Sequence, residues 1–360
     1  MTSTAIPQAV NDELRAILRK RAGEWLARSY RHDLLVARTV RGMQVEAQQE
    51  FDRMVVNPLL KAIGGTLATF GPRGSDVIPE AFPQIAALQR EIAQVIDRGA
   101  ESVHRLTQRR MAEVVQVEAA WTRGTATSLG DGIATPAANV ATAERQAIDR
   151  PFLGDKTERW FEKMLSGPTK DNVRAWVNAG IQQGLTTDEI VRGLRGTKEQ
   201  TGILADKPKY AVAALVRTAA THASQVGREA GFKAIGVTHY RFRATLDSLT
   251  SIQCAANDGK VFEMGKGPVP PLHPNCRSVT EPVWDPNEKP DGDRASIDGP
   301  VPADQSFEDW LGQQSQKDQD EALGKTKAEA WRSGKLPLAK MLGADLQPLT
   351  LAELRELDRI

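Results

Sequence analysis

The chain has 360 residues, enough for two or three domains, and its 40% hydrophobic content is that of an ordinary soluble protein with a core to bury. Its 47 basic residues nearly cancel its 46 acidic ones, leaving a net charge of +1, so there is no bulk electrostatic reason to expect nucleic acid or membrane as the main partner, and any DNA contact has to be local. No apolar run approaches the roughly 20 residues needed to span a bilayer, and the opening "MTSTAIPQAVNDELR" lacks a signal-peptide pattern; the expectation is a chain made and kept in a cytoplasm.

From Pro7 to about residue 57 an apolar stripe of Val10, Leu14, Ile17, Leu18, Trp25, Leu26, Leu34 and Leu35 predicts one or two helices, closed by Pro58 and Gly64-Gly65. A second helical pattern opens near Pro83 with Ile85, Leu88, Ile92 and Val95 and continues through Val114 and Trp121, a spacing suited to helix-on-helix packing. Residues 1–123 are therefore read as an N-terminal helical region, either an arm that docks on a larger assembly or a hairpin burying its own stripe. "GTATSLGDGIATPAA" is small and flexible in composition, and 124–138 reads as a linker. Shorter helical patterns fill 139–205, including one that Thr186 or Thr187 can cap ahead of Asp188-Glu189.

A longer helix is predicted over 209–235, where Ala213, Ala220, Ala223, Val226 and Ala230 make a small-residue face that admits a close neighbour. The period then changes from helical to alternating. In "THYRFRATLD", Tyr240, Phe242 and Ala244 fall on one side and Arg241, Arg243 and Thr245 on the other, as in a half-buried strand, and "RSVTEPVW" is a second strand candidate. Residues 206–284 thus form a small ribbon unit with a cysteine-bearing loop between its strands. The stretch 285–305 is polar and rich in proline and glycine and reads as a surface linker; 306–360 returns to short helices, the first capped by Ser306. The predicted fold is mainly α with a small α+β C-terminal domain.

The ribbon supplies Asp247, Cys254, His273 and Cys276 in order, and Cys254 and Cys276 are the two cysteines of the chain. Thiolate and imidazole are the ligands zinc favours, and an HxxC pair can reach one ion from a turn. The intervening loop has little to bury, so a metal clip would offset its ordering entropy. Three other readings stay open on spacing alone: a Cys254–Cys276 disulfide, two buried reduced cysteines, and an Asp247 that only caps its own turn. Catalysis finds little local support, because HExxH, the deaminase HxE with PCxxC, the phosphate-binding GxxxxGK[ST] and GxSxG are all absent. His222 and Arg217 are the remaining polar candidates on the preceding helix.

The runs "VRTAATHASQVGREAGF", "YRFRATLDSLTSIQCAANDGKVF", "PPLHPNCRSVTEPV", "SFEDWLGQQSQKDQDEALG" and "LTLAELREL" together resemble the phage Mu F-like minor head protein family, the phage head morphogenesis proteins, over roughly 210–357. Asp247, Thr250, Cys254, Gly259, Lys260, Pro271, His273, Pro274, Cys276, Arg277 and Ser278 fall on the family's motif, whereas Leu249 stands where the family usually carries arginine. The resemblance implies a virion protein of a tailed phage, assembled in the host cytoplasm and placed in the head interior or at the portal vertex. Its implied partners are the portal protein and the major capsid or scaffolding protein, with local contact to packaged DNA and none to membrane. The expected role is structural, in head assembly and DNA delivery. The rivals are a metal-dependent virion nuclease or hydrolase, and an ejection factor that binds DNA through Arg105, Arg109 and Arg110. The expected site is one closed, structural zinc held by Asp247, Cys254, His273 and Cys276, with no catalytic residue.

Overall fold

The computed structural model describes residues 8–71, 82–287 and 289–360; Pro7 and the side chain of Val10, which open the expected first stripe, lie outside them. Helix dominates, and the strands are short, antiparallel and confined to the C-terminal part, in agreement with the mainly α, small α+β reading. The helices in order are α1 (Gln8–Lys20), α2 (Ala22–Phe51), α3 (Asn57–Ala68), α4 (Phe82–Leu129), α5 (Val140–Asp149), α6 (Thr157–Phe161), α7 (Gly167–Gln182), α8 (Thr187–Arg195) and α9 (Lys207–Ala234). The chain divides into two compact units, one of Met1–Ala37, Ala112–Ala147 and Thr221–Ile360, the other of Arg38–Met111 and Ile148–Ala220.

Among the described residues of the second unit the named elements are all helices. Its core is Phe51, Val55, Leu59, Ile63, Ile92, Ile96, Leu165, Val173, Val177 and Ile190, none more than 1% exposed. Between α2 and α3 one π-helical turn, Asp52–Val56, aims Val55 at α4, where a Cβ on Gly99 would fall 2.1 Å from the Val55 side chain. Only glycine admits that approach. A capping box of Thr186 and Glu189 starts α8 as its sequence predicts.

In the first unit, α9 is approached closely at two glycines outside the expected small-residue face. A Cβ on Gly227 would lie 2.8 Å from the Glu118 side chain and 2.9 Å from the Val115 carbonyl, and one on Gly231 would lie 2.7 Å from Thr122. Leu14, Leu18, Trp25, Ala126, Leu129, Phe232 and Ile235 form one apolar cluster, whereas Leu34 and Leu35 of the expected stripe are exposed. Ala126 and Leu129 belong to α4, which runs on to Leu129; the first part of the expected linker is therefore helical, because two of its apolar side chains are wholly buried and outweigh a glycine's propensity cost of about 1 kcal/mol.

After α9 the chain forms β1 (His239–Arg243), α10 (Ile252–Asn257), β2 (Val261–Glu263) and β3 (Val279–Val283), a sheet of order β2-β1-β3 with both pairs antiparallel. The sequence predicts β1 and β3 but leaves β2 in the loop, and β1 is not half-buried. Arg241 and Arg243 are 9% and 4% exposed, because the following segment covers their face. Arg243 donates through Nε to Glu281 at 2.6 Å and through Nη1 to the Ala303 carbonyl at 2.7 Å. That segment, expected as a linker, contains a hairpin of β4 (Asp293–Ser296) and β5 (Gly299–Pro302). Its anchor is Arg294, whose side chain is 5% exposed and forks onto the 1% exposed carboxylate of Asp258 at 2.7 and 2.8 Å. Beyond it lie α11 (Phe307–Gly312), α12 (Gln316–Leu323), α13 (Lys325–Arg332), one 3₁₀ turn (Leu338–Met341) and α14 (Leu351–Glu356). The expected Ser306 cap is present as a capping box with Asp309, and Leu246, Phe307, Trp310, Leu311, Leu336, Met341 and Leu354 share one core.

Candidate metal centre

Cys254 and the pair His273 and Cys276 reach the same point from opposite sides of the ribbon's loop. Ser251 caps α10 by accepting the Cys254 N–H at 3.3 Å, which fixes Cys254 in the helix's first turn. His273-Pro274-Asn275-Cys276 closes on itself, the Cys276 N–H donating to the His273 carbonyl at 3.3 Å, with Asn275 at φ +68°. Proline at the second position and a left-handed asparagine at the third are the residues a type II turn asks for. Thr221 on α9 donates its hydroxyl to the Cys276 carbonyl at 2.8 Å and ties that turn down. The Pro270–Pro271 bond just before it is cis.

Both cysteines are free, buried, and packed with Phe242 and Ala244. Cys254 Sγ lies 3.6 Å from Cys276 Sγ and 3.3 Å from His273 Nε2, and the three ligand atoms lie within 4.8 Å of one another. Zinc bonds of about 2.3 Å to sulfur and 2.0–2.1 Å to nitrogen, opened to the tetrahedral angle, give edges of about 3.8 Å for S–S and 3.6 Å for S–N. The observed edges fall within about 0.3 Å of these. His273 Nδ1 is 2.8 Å from the Pro274 carbonyl, so it carries the proton and leaves the Nε2 lone pair facing the sulfurs. The donor set fits zinc in type, tautomer and spacing.

The three groups polarise one another. The hydrogen bond from Cys254 holds the Cys276 thiol well below the usual thiol range against the cost of burial, and His273 adds to the effect. The same bond, with burial and the neighbouring negative sulfur, pushes Cys254 well above it. Burial alone would lower His273, but its contacts with Cys276 and the Pro274 carbonyl leave it raised.

Asp247 is not in this group among the described residues. Both its carboxylate oxygens pair with the Arg277 guanidinium, and one also accepts from the Leu249 N–H at 3.1 Å and the Thr250 hydroxyl at 3.2 Å. This is the turn-capping alternative with an ion pair added. His222 is buried on α9 and is not in the group either, while Arg217 donates to Gln44 at 3.2 Å in the second unit. Of the basic cluster on α4, Arg105 pairs with Glu101 and Arg110 with Glu46.

Sequence reasoning missed a second polar constellation in the first unit. Glu118, wholly buried on α4, meets His32 Nε2 at 2.8 Å, Arg228 Nε at 3.2 Å and the Ser224 hydroxyl. Arg228 also pairs with Asp33 and donates to the Thr280 carbonyl at 3.1 Å, while His32 stacks on Trp121 with ring centroids 4.3 Å apart. Its charges answer one another, Glu118 and Asp33 against Arg228, and tie α2, α4 and α9 together. One signal could have found it: Glu118 sits three and four positions from Val115 and Val114, on the apolar face of its helix.

Residues 171–281, just under a third of the chain, match the family described as Phage Mu protein F like protein. The matched stretch contains Asp247, Cys254, His273 and Cys276, and it begins before and ends earlier than the motifs that suggest the resemblance, so the 306–360 tail lies outside it. No curated protein and no solved structure matches the chain. Among the described residues no helix is long and apolar enough to cross a membrane.

Proposed function

With the similarity of residues 171–281 to the phage Mu F-like family as premise, we propose that this chain is a minor capsid and head morphogenesis protein of a tailed phage. Its role is structural: it binds the portal, with the major capsid or scaffolding protein as further partner, and serves head assembly and DNA delivery from the head interior or portal vertex. The observation that carries the reading is the family match coinciding with a buried Cys/His clip that joins the two ends of the ribbon's loop. The metal is zinc, held by Cys254, His273 and Cys276. It supplies loop order in place of a larger core. Asp247 joins as a fourth ligand only by giving up Arg277.

One observation favours a second reading. Three protein ligands with a fourth position left to water is the pattern of catalytic zinc, which fits a virion nuclease or hydrolase. Binding of the purified chain to its phage's portal, run beside a nuclease assay with added divalent metals, separates the two. Saturable portal binding without turnover supports the structural role. Cleavage that disappears in His273→Ala overturns it. Elemental analysis of protein purified without added metal is expected to give about one zinc per chain, lost in Cys276→Ser with new protease sensitivity over residues 247–283. A metal-free chain equally resistant to protease would end the zinc assignment.

A further inference from the structure

The two sulfurs of the metal centre are also placed to be joined to each other. Cys254 and Cys276 are the two cysteines of the chain, and their Sγ atoms stand 3.6 Å apart. A covalent S–S bond is about 2.0 Å long, so the gap to close is about 1.6 Å, a distance within reach of side-chain rotation. The backbone on either side is fixed independently of the sulfurs. Ser251 caps α10 beneath Cys254, while Cys276 is held by its bond to the His273 carbonyl and by the Thr221 hydroxyl. With no third cysteine to compete, pairing within the chain has one product.

Zinc and such a bridge exclude one another, because a sulfur in an S–S bond is no longer a thiolate to bind the ion. Either tie joins the same two points, α10 and the turn at 273–276. They differ at His273, which a metal engages through Nε2 and a bridge leaves held at Nδ1 by the Pro274 carbonyl. His273 is the one member of the group that is not fully buried, so the exchange is felt at the surface there. Both sulfurs are buried, and an oxidant reaches them only when the loop opens, an opening that bound zinc suppresses.

Resting on the zinc assignment above, we propose that the centre is a redox clip with two closed states, zinc-bound under reducing conditions and bridged between Cys254 and Cys276 once the metal is withdrawn before a small disulfide oxidant. One cysteine sulfur attacks glutathione disulfide and expels a glutathione thiolate; the other attacks the mixed disulfide so formed and expels the second. The cysteine pair gives up two electrons, and its two thiol protons end on the two glutathiones released. The test uses the full chain, zinc-loaded or stripped with a chelator, incubated with glutathione disulfide and followed by intact mass, thiol alkylation and proteolysis over residues 247–283. The stripped chain should lose two hydrogen masses, keep no glutathione, refuse the alkylating agent and regain protease resistance. The zinc-loaded chain should bridge at least about tenfold more slowly and release its zinc ion to a metallochromic indicator as it does so. His273→Ala, which lowers zinc retention and keeps both cysteines, should bridge without the chelator; if that variant does not fold, the wild-type pair decides. A stripped chain that stays alkylatable at both cysteines, or stops at a glutathione adduct, overturns the clip and leaves the zinc assignment standing. Bridging at one rate with and without added zinc, in a chain that retains no metal, overturns the zinc assignment and the two-state clip with it.

Discussion

Replacing Asp258 with alanine should unfasten the whole region after the sheet. The carboxylate accepts from four donors at once: the Ala244 N–H at 2.8 Å, the Phe307 N–H at 2.8 Å, and Arg294 through both terminal nitrogens at 2.7 and 2.8 Å. Its loss leaves two buried backbone donors with no acceptor, each worth about 1–3 kcal/mol, and a buried guanidinium that keeps only the carbonyls of Ala244 and Gln305. Removing one partner of a buried pair costs about 3–5 kcal/mol, and the donor count places this one near the middle, at about 4. With a urea slope on the order of 3 kcal/mol per molar, the unfolding midpoint should fall by about 1.3 M. Urea titration followed by circular dichroism reads the midpoint, and hydrogen exchange of the Ala244 and Phe307 amides reads the local effect. The double variant Asp258→Ala/Arg294→Met, which leaves no unpaired charge, should recover part of the loss. A loss below about 1 kcal/mol with both amides still protected would refute the assignment of Asp258 as the fastening of β4 and α11.

Glu118→Gln should destabilise the chain by about 2–4 kcal/mol near neutral pH and flatten its acid limb. Burial raises the Glu118 pKa, but Arg228 and the hydrogen bond from His32 outweigh it and leave it below its ordinary 4.5. The unfolded chain therefore holds that proton more tightly, and the stability Glu118 contributes is full above the unfolded value and lost as pH falls through the folded one. Asp33 has the opposite sign, raised from 3.8 because burial outweighs Arg228, so it offsets part of the slope. Melting temperatures of both proteins between about pH 7 and pH 3.5 should converge toward acid; a constant gap would contradict the assignment. At the metal turn, Asn275→Gly should be neutral within about 0.5 kcal/mol, while Asn275→Val should cost about 1–2 kcal/mol and lower zinc retention, because φ +68° excludes a branched side chain. Equal zinc content in the two variants would sink that reading.

What could be read in the sequence was what local pattern encodes. The alternation of "YRFRA" predicts β1, and "HPNC" predicts a turn that aims two metal-ligand side chains. What escaped depends on partners distant in the chain. Arg241 and Arg243 read as solvent-facing because nothing near them announces the cover, which comes from Ala303 and its neighbours some sixty positions later. The β4–β5 hairpin hid behind Pro300 and Pro302, although Asp298-Gly299 is a recognisable turn signal. Glu118 finds its answering groups on α2 and α9, 86 and 106 positions from it at His32 and Ser224, and no spacing rule reaches so far.

The make-up of the first unit from three separated stretches, 1–37, 112–147 and 221–360, orders events on the ribosome. While residues up to about 220 are emerging, the second unit already has all its parts, but Trp25, His32 and Glu118 wait for an Arg228 and a Trp284 not yet synthesised. The nascent chain then carries a finished insert inside an unfinished host, with a charged residue and an indole exposed until the C-terminal half arrives. The stretch that resembles a known family, 171–281, begins in one unit and ends in the other and omits Glu118 altogether. Cut out along the lines of similarity, it would leave Arg228 without its carboxylates: a limit drawn by resemblance is not a limit of folding.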